Sequence, residues 1–260
     1  GGAGSTFAVA YEGGGLQIFD FDGKRITGVS DDQVRALGEG RYALLAGTPV
    51  TVFPGIDEYG DLKVWLHGGG LGDAIAYDLK GDQAGPAAGL CAAPPEGEGD
   101  ALQHLAYWTE DAPQTLQVTS IRESGGELEL VSESQQESDG PITACTIGAE
   151  GAKTYTDPVE AAASLRRLGR ETIVLSRGDG DLHLKIGDNA PARYEILEGI
   201  TIEVPLAPTA MAATGDARGG GYPGGIIVLG GVVGGDENRA VLIDPSRVTM
   251  TPIEVPSATE

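Results

Sequence analysis

Two cysteines are the residues of this sequence whose type and spacing most clearly permit chemistry. Cys91 and Cys145 are 54 residues apart and hold the same place in two similar small-residue segments, Gly89–Ala93 and Thr143–Ile147. If the segments are neighbours in the fold, a disulfide is expected; the alternative is two buried thiols in packed strands. A bond would contribute about 4 kcal/mol by the chain-entropy relation and would favour a periplasmic or secreted protein.

Few other polar residues form a recognisable chemical motif. Asp179 and Asp181 could offer two carboxylates to a calcium ion, but such an ion takes six to eight oxygen ligands. The patterns G-x-S-x-G, H-E-x-x-H and C-x-x-C do not occur in the sequence. Each of the three histidines lies in a strand-like run: His67, His104 and His183. The motifs alone therefore assign no reaction.

The elements that must position these residues are predicted to be strands. Short segments in which apolar and polar residues alternate run along the chain, separated by turn signals such as FDGKR, SGGE and GDGD. A third small-residue segment, Thr209–Ala213, repeats the pattern of the cysteine segments around Met211. Repeats of roughly 40 to 50 residues with four strands are typical of β-propeller blades. Only slim side chains fit the innermost strands, which explains the repeated segments.

The repeats predict the organisation of the chain. We expect an all-β propeller of about five four-stranded blades, within a range of about four to six. A single domain would cover residues 1–257, and residues 258–260 would begin a linker or tail. A β-sandwich is the competing fold, but it gives no reason for the repeated segments. The expected units are 6–29, 30–83, 84–136, 137–199 and 200–257.

One segment carries the signals of a helix. Asp157 would be the N-cap, Pro158 the first helical residue and Gly169 the residue past the end, with two arginines in the last turn. We therefore predict a short helix from Pro158 to Leu168, inserted between strands.

The charge of the chain excludes some partners. Lys and Arg number 17 and Asp and Glu number 39, for a net charge of −22. Nucleic acid and anionic membrane surfaces are therefore unfavourable partners. No run of 18 apolar residues occurs, so no membrane insertion is expected. The start GGAGSTFAVAYE reads as an expression remnant or a trimmed mature end. We expect a monomer.

Several segments, taken in order, resemble the β-propeller phytases. FAVAYEGGGLQIFDFDGKRI is similar to the opening blade of that family, and LKVWLHGGGLGDAIAYDL to a strand pair of its second blade. GLCAAPPEGEGDALQHLAYWTEDAPQTLQVTSI is similar to its Gly-Leu-Cys strand and the strand that ends in Thr-Asp. The segment that begins PTAMAATGDARGGGYPGG is similar to its last blade. The resemblance covers most of the chain.

The resemblance implies a calcium-dependent phosphatase acting on phytate or other inositol phosphates. In that family calcium ions and basic side chains neutralise the phosphates and activate water. Glu110, Asp111 and Asp157 stand near acidic positions of the family and are the candidate metal ligands. Most of the other acidic motifs are missing; residues 142–144, for example, replace the acid before the second cysteine.

Three functions follow from these observations. The first is a degenerate accessory domain, an incomplete phytase-like propeller that accompanies a complete phytase domain or another protein. The second is an active calcium-dependent phosphomonoesterase in which Arg177 and Arg239 bind the phosphate. The third is a non-catalytic protein-interaction propeller with an exposed apolar or aromatic patch, for which the candidates are Trp65, Trp108 and Tyr222.

Overall fold

A computed structural model describes the chain in ten stretches. They are residues 6–11, 15–27, 33–68, 70–94, 100–178, 181–186, 191–195, 203–216, 221–234 and 237–245. All twenty elements in these residues are β-strands, paired antiparallel in six sheets, so the predicted all-β class is confirmed. The chain divides into two compact units, described separately here: a first unit, Gly4–Thr156, and a second unit, Asp157–Glu260 with residues 1–3.

The first unit contains thirteen strands in four sheets. They are β1 Thr6–Tyr11, β2 Gly15–Asp20, β3 Val34–Leu37, β4 Arg41–Leu45, β5 Thr48–Asp57, β6 Leu62–Gly68, β7 Ile75–Asp78, β8 Ala87–Ala93, β9 Ala101–Thr109, β10 Thr115–Ser124, β11 Glu127–Glu137, β12 Ala144–Gly148 and β13 Gly151–Tyr155. Sheets of order β3-β5-β6-β7 and β11-β10-β9-β8 have two-stranded neighbours, β1-β2 and β12-β13. Strands β3 and β4 both pair with β5, at its opposite ends.

The second unit contains seven strands in two sheets. They are β14 Val159–Arg167, β15 Arg170–Arg177, β16 Asp181–Ile186, β17 Ala192–Glu195, β18 Ala210–Thr214, β19 Ile226–Val233 and β20 Glu237–Ile243. The orders are β14-β15-β16-β17 and β18-β19-β20. The single repeat expected over residues 137–199 therefore holds two sheets, β12-β13 and β14-β17.

The predicted helix from Pro158 to Leu168 is wrong. Its residues form β14, which pairs with β15 as far as Arg167 and Arg170. Three alternate side chains of the strand are buried, Ala161, Ala163 and Leu165, and this period of two places them on one face of the sheet. Burial in the sheet overrides the helix propensity of alanine.

The repeated small-residue segments lie on equivalent strands, as the repeat predicts. Cys91 lies in β8, Cys145 in β12 and Met211 in β18, each the first strand of its sheet and an edge of it. Strand β14 is a fourth such strand: it follows Pro158 and is rich in alanine, just as β8 follows Pro86. The segment that predicted a helix is therefore another copy of the repeat.

Close packing explains why these first strands are built from small residues. A β-carbon on Gly89, in β8, would collide with the indole ring of Trp108 on the neighbouring strand. A β-carbon on Gly38, just after β3, would lie 2.7 Å from the β-carbon of Ala92. Both contacts are closer than carbon atoms tolerate, so larger side chains would force the strands apart.

Apolar clusters lie between successive sheets of the first unit. One face of β5 and β6 packs on β9 and β10, and the other face packs on β2. A third cluster joins β9 and β10 to β12. The first cluster includes Val52 and Leu105, the second includes Leu16 and Trp65, and the third includes Ala106 and Cys145. Small sheets stacked face to face in this way are the packing of propeller blades.

Candidate functional site

The two cysteines form a disulfide, so the bonded alternative is confirmed. Cys91 and Cys145 bring their Cα atoms to 5.6 Å across the edges of β8 and β12. No free cysteine remains in the chain. The bond therefore links the first strands of two sheets in the first unit, and neither sulfur is available as a nucleophile or metal ligand.

The acids predicted to bind metal are exposed and lie in different units. In the first unit Glu110 accepts a hydrogen bond from Arg35 at 2.8 Å, and Asp111 follows it in an exposed bend. In the second unit Asp157 is exposed in the turn before β14. Within the described stretches, no group of three His, Cys, Asp or Glu side chains is arranged to hold a metal ion. The assignment of calcium to these acids stays a prediction.

The two arginines predicted to bind phosphate lie on strands of the second unit. Arg177 is half-buried at the end of β15, and its buried Nε has no hydrogen-bond partner. Arg239, in β20, lies 3.6 Å from a carboxylate oxygen of Glu203 and 3.7 Å from one of Glu237. Its charge is therefore shared with two acids, which would compete with a phosphate. The role of both arginines stays a prediction.

One of the two acids considered for calcium is already paired. The buried carboxylate of Asp181, at the start of β16, lies 2.5 Å from Nε of Arg193 in β17. A buried carboxylate with a guanidinium partner is compensated within its own sheet. Its companion, Asp179, lies outside the described residues, as does the predicted tail of residues 258–260.

A polar cluster on the β8-β11 sheet was not revealed by sequence spacing. Glu133 lies 3.9 Å from Nδ1 of His104 and 3.9 Å from Nη2 of Arg122, whose Nε donates to Ser120 Oγ at 3.2 Å. Glu133 occupies a β-bulge in β11, and the other three residues come from β9 and β10. Ser120 is fully buried, so its hydroxyl is not presented to a substrate. The cluster is a cross-strand network, and only the pairing register could have predicted it.

Exposed apolar side chains concentrate on the β3-β7 sheet. Nine large apolar side chains are exposed in the described residues, and five of them lie between residues 42 and 77. On β4, Tyr42 is 64% exposed and Leu44 59%; on β7, Ile75 is 40% exposed and Tyr77 46%. The fifth, Tyr59, is in the turn between β5 and β6. Because β4 and β7 lie on opposite sides of β5 and β6, both margins of this sheet are apolar.

One histidine lies next to this exposed surface. Tyr42, Thr51 and His67 are direct cross-strand neighbours on β4, β5 and β6, so they share one face of the sheet. Nδ1 of His67 is buried and has no hydrogen-bond partner. Burial lowers the pKa of His67 below its usual value of 6.5, which keeps the ring neutral at pH 7. An unpaired buried N–H is costly, so the proton is favoured on Nε2.

The aromatic residues considered for an exposed patch lie elsewhere. Trp65 and Trp108 are buried core residues, and Tyr222 is half-buried. The exposed aromatic residues are tyrosines on β4, on β7 and in a turn. Exposure depends on which strands become the edges of a sheet, and pairing decides that.

Comparisons with known proteins agree on the fold. No protein-family model matches the sequence, and no curated protein matches it. A mutant of the Aleuria aurantia lectin in complex with alpha-methyl-L-fucoside is similar in structure, with a TM-score of 0.58, 14% identity, and coverage of 91% of this chain and 90% of the lectin. A second structure of that lectin, described as a six-bladed β-propeller, has a TM-score of 0.56, 13% identity and the same coverage. BBS1N in complex with ARL6DN has a TM-score of 0.54, 10% identity, and coverage of 96% and 89%.

These findings define the class of protein. The small antiparallel sheets and the structural neighbours show that the chain has a β-propeller fold. Identities of 10 to 14% show the fold alone. The described residues contain no helix that could cross a membrane.

Proposed function

We propose that this protein is a non-catalytic β-propeller that binds a partner protein through the β3-β7 sheet. The observation that carries the proposal is the group of exposed apolar side chains on β4 and β7. Tyr42 and Leu44 lie on the face of the sheet that carries His67. Ile75 and Tyr77 lie on the opposite face, with Leu66. Exposed apolar surface is a feature of interaction sites, because its removal from water favours association. The residues in question are Tyr42, Leu44, Ile75 and Tyr77.

The charge of the chain narrows the class of partner. With a net charge of −22, the protein attracts basic partners and repels acidic ones. One structural neighbour, BBS1N, is described in complex with another protein, so partner binding is one use of this fold. We propose a partner with a basic surface, bound by a single copy of this chain.

The experiment compares two sets of variants of the whole chain. Partners are first identified by cross-linking in the native source, and the affinity of one purified partner is then measured. Replacing Tyr42 and Leu44 with Ser, and Ile75 and Tyr77 with Thr, is expected to weaken binding at least tenfold. Leu168→Ser, which removes an even more exposed apolar side chain in the second unit, is the control. Equal affinity of the two sets would refute the proposal.

Carbohydrate binding is a second candidate function. It is favoured by the row of Tyr42, Thr51 and His67, which offers an exposed aromatic ring beside a hydroxyl and a neutral imidazole. The Aleuria aurantia lectin, a structural neighbour, is described in complex with a fucoside. A glycan array is the test: saturable binding that Tyr42→Ser abolishes supports this candidate, and no binding removes it.

The relation to the phytases remains a separate proposal. A degenerate phytase-like domain would release little phosphate from phytate, whereas an active phosphomonoesterase would release it in a calcium-dependent way. The assay is phosphate release with and without calcium, together with a calcium titration of the melting temperature. A tight calcium site would raise that temperature by ligand linkage. Activity without a calcium effect would contradict both forms of the proposal.

The disulfide provides evidence about the compartment in which the protein is located. A bond between Cys91 and Cys145 is compatible with an extracellular location, because such bonds persist in oxidising compartments. We propose a periplasmic or secreted protein. Fractionation of the native source, with thiol labelling of the fresh extract, tests this: a free-thiol form in the cytosol would contradict it.

A further inference from the structure

Strand β7 forms an exposed edge of its sheet. It pairs with β6, from Leu66 opposite Ile75 to Lys63 opposite Asp78. In the described part of the chain, the backbone groups of β7 that point away from β6 make no hydrogen bond. Such a row of unpaired N–H and C=O groups is a template for another strand.

The side chains of β7 do not protect this edge. Ile75 and Tyr77 are exposed on the strand, whereas residues 132–137 of edge strand β11 are polar, SESQQE, and all six are exposed. Strand β11 is also partly covered, since Lys80 exchanges backbone hydrogen bonds with Leu128 and Leu130. Natural edges are usually blunted by charge or covered in these ways. Strand β7 carries a charge only at its last residue, Asp78, and exposes Ile75 and Tyr77 before it, which fits a surface that a segment of another protein covers.

Acidic side chains lie near both ends of β7. Asp73 and Asp78 are exposed, and five residue steps at about 3.3 Å each separate them by at most about 17 Å. Asp73 lies in the bend before β7 and accepts a hydrogen bond from Thr27 Oγ1, which leaves its negative charge in place. Lys63 lies 3.6 Å from Asp78 and offsets part of its charge. A second copy of this chain, with its own charge of −22, would be repelled. The complementary ligand is therefore an extended segment with apolar residues at its centre and a basic residue at each end.

We propose that β7 binds such a segment of a partner protein by strand addition, with backbone hydrogen bonds to its free edge, apolar contacts to Ile75 and Tyr77, and basic residues beside Asp73 and Asp78. The inference rests on the proposed function and names its site and partner chemistry. In this mode the backbone bonds supply affinity, and the alternate side chains supply specificity.

The first test uses short peptides as probes. Acetylated and amidated Lys-Val-Thr-Val-Thr-Lys is titrated, up to millimolar concentration, into the whole protein, and hydrogen exchange of residues 75–78 is followed by NMR. Saturable binding with slowed exchange of these amides is expected. A peptide with glutamate at both ends, and one with proline in place of both valines, are each expected to bind at least tenfold more weakly. Absence of binding, unchanged exchange in β7, or equal affinity of the proline peptide would overturn the inference.

The second test separates the two margins of the sheet. Ile75→Thr with Tyr77→Thr keeps strand-forming residues in β7 and is expected to weaken binding of the peptide at least fivefold. The matched variant, Tyr42→Ser with Leu44→Ser on β4, is expected to bind it within twofold of the unchanged protein. If binding of the purified natural partner is weakened only by the β4 substitutions, strand addition is refuted and the proposed function stands. If neither the β4 nor the β7 substitutions weaken binding of the partner, the proposed function itself is refuted.

Discussion

At the scale of single residues, Gly89 shows how tightly the first strands are packed. Gly89→Ala places a methyl group against the Trp108 ring, and we expect it to lower the free energy of unfolding by about 1–3 kcal/mol. Urea denaturation measures this change. Gly72→Ala is the control, because a β-carbon there meets no atom within 4 Å. Equal effects of the two substitutions would contradict the packing explanation.

The burial of His67 predicts a pH dependence of stability. Its pKa in the folded protein is lower than the usual 6.5, so the unfolded chain binds more protons between the two values. Stability is therefore expected to fall as pH drops through 6.5 towards the lowered pKa, and to return as pH rises. His67→Gln should flatten this part of the profile of urea midpoints against pH. If the profile of the variant parallels that of the unchanged protein, His67 is not the cause of the pH dependence.

At the scale of elements, the β14–β15 hairpin contains a correctable strain. Leu168 and Gly169 form its two-residue turn, both with positive φ, and Leu168 is 92% exposed at φ 49°. Asparagine tolerates this conformation better than leucine, so Leu168→Asn should raise the free energy of unfolding by about 0.5–1 kcal/mol. Leu168→Ala, which removes the apolar side chain without favouring the turn, should change it little. Equal urea midpoints for Leu168→Asn and Leu168→Ala would refute this explanation.

The same hairpin shows where reasoning from sequence failed. Residues 157–169 carry an N-cap, a proline, an alanine run and a final glycine, and every one of these local signals predicts a helix. They form a strand because alternate residues bury against the neighbouring sheet, which local signals do not encode. Comparison with the other segments that begin at a proline, Pro86, Pro141 and Pro208, predicts the strand.

The disulfide between β8 and β12 makes a measurable contribution to stability. Replacing Cys91 and Cys145 with alanine opens a 54-residue loop and should cost about 4 kcal/mol by the chain-entropy relation. The measurement is the urea midpoint of the double variant against that of the unreduced protein. Reduction of the unchanged protein should lower the midpoint to a similar extent. No change in either experiment would contradict a constraining role.

At the scale of the whole molecule, the excess of acidic residues predicts a salt effect. With 39 acidic and 17 basic residues, the folded chain repels itself, and added salt screens that repulsion. The melting temperature is therefore expected to rise between low salt and about 0.5 M sodium chloride, where the screening length falls to a few ångströms. A fall would mean that attractive ion pairs, such as Asp181 with Arg193, dominate instead.

The fold was more predictable than the site. Strand periodicity and the repeated segments gave the all-β class, the propeller and the cysteine pair, because these depend on spacing along the chain. The exposed surfaces of β4 and β7, and the cluster around Glu133, depend on which strands become edges and on a bulge in the register. Such features arise from pairing between distant residues, and one sequence does not display them.

The bond between Cys91 and Cys145 also determines what a protease would leave behind. The hairpin turn at Gly125 and Gly126, between β10 and β11, is exposed and lies inside the loop that the bond closes. A single cut there yields two fragments that still migrate as one band on a non-reducing gel, and a reductant separates them. A secreted form of this protein would therefore survive such nicking as one covalent molecule.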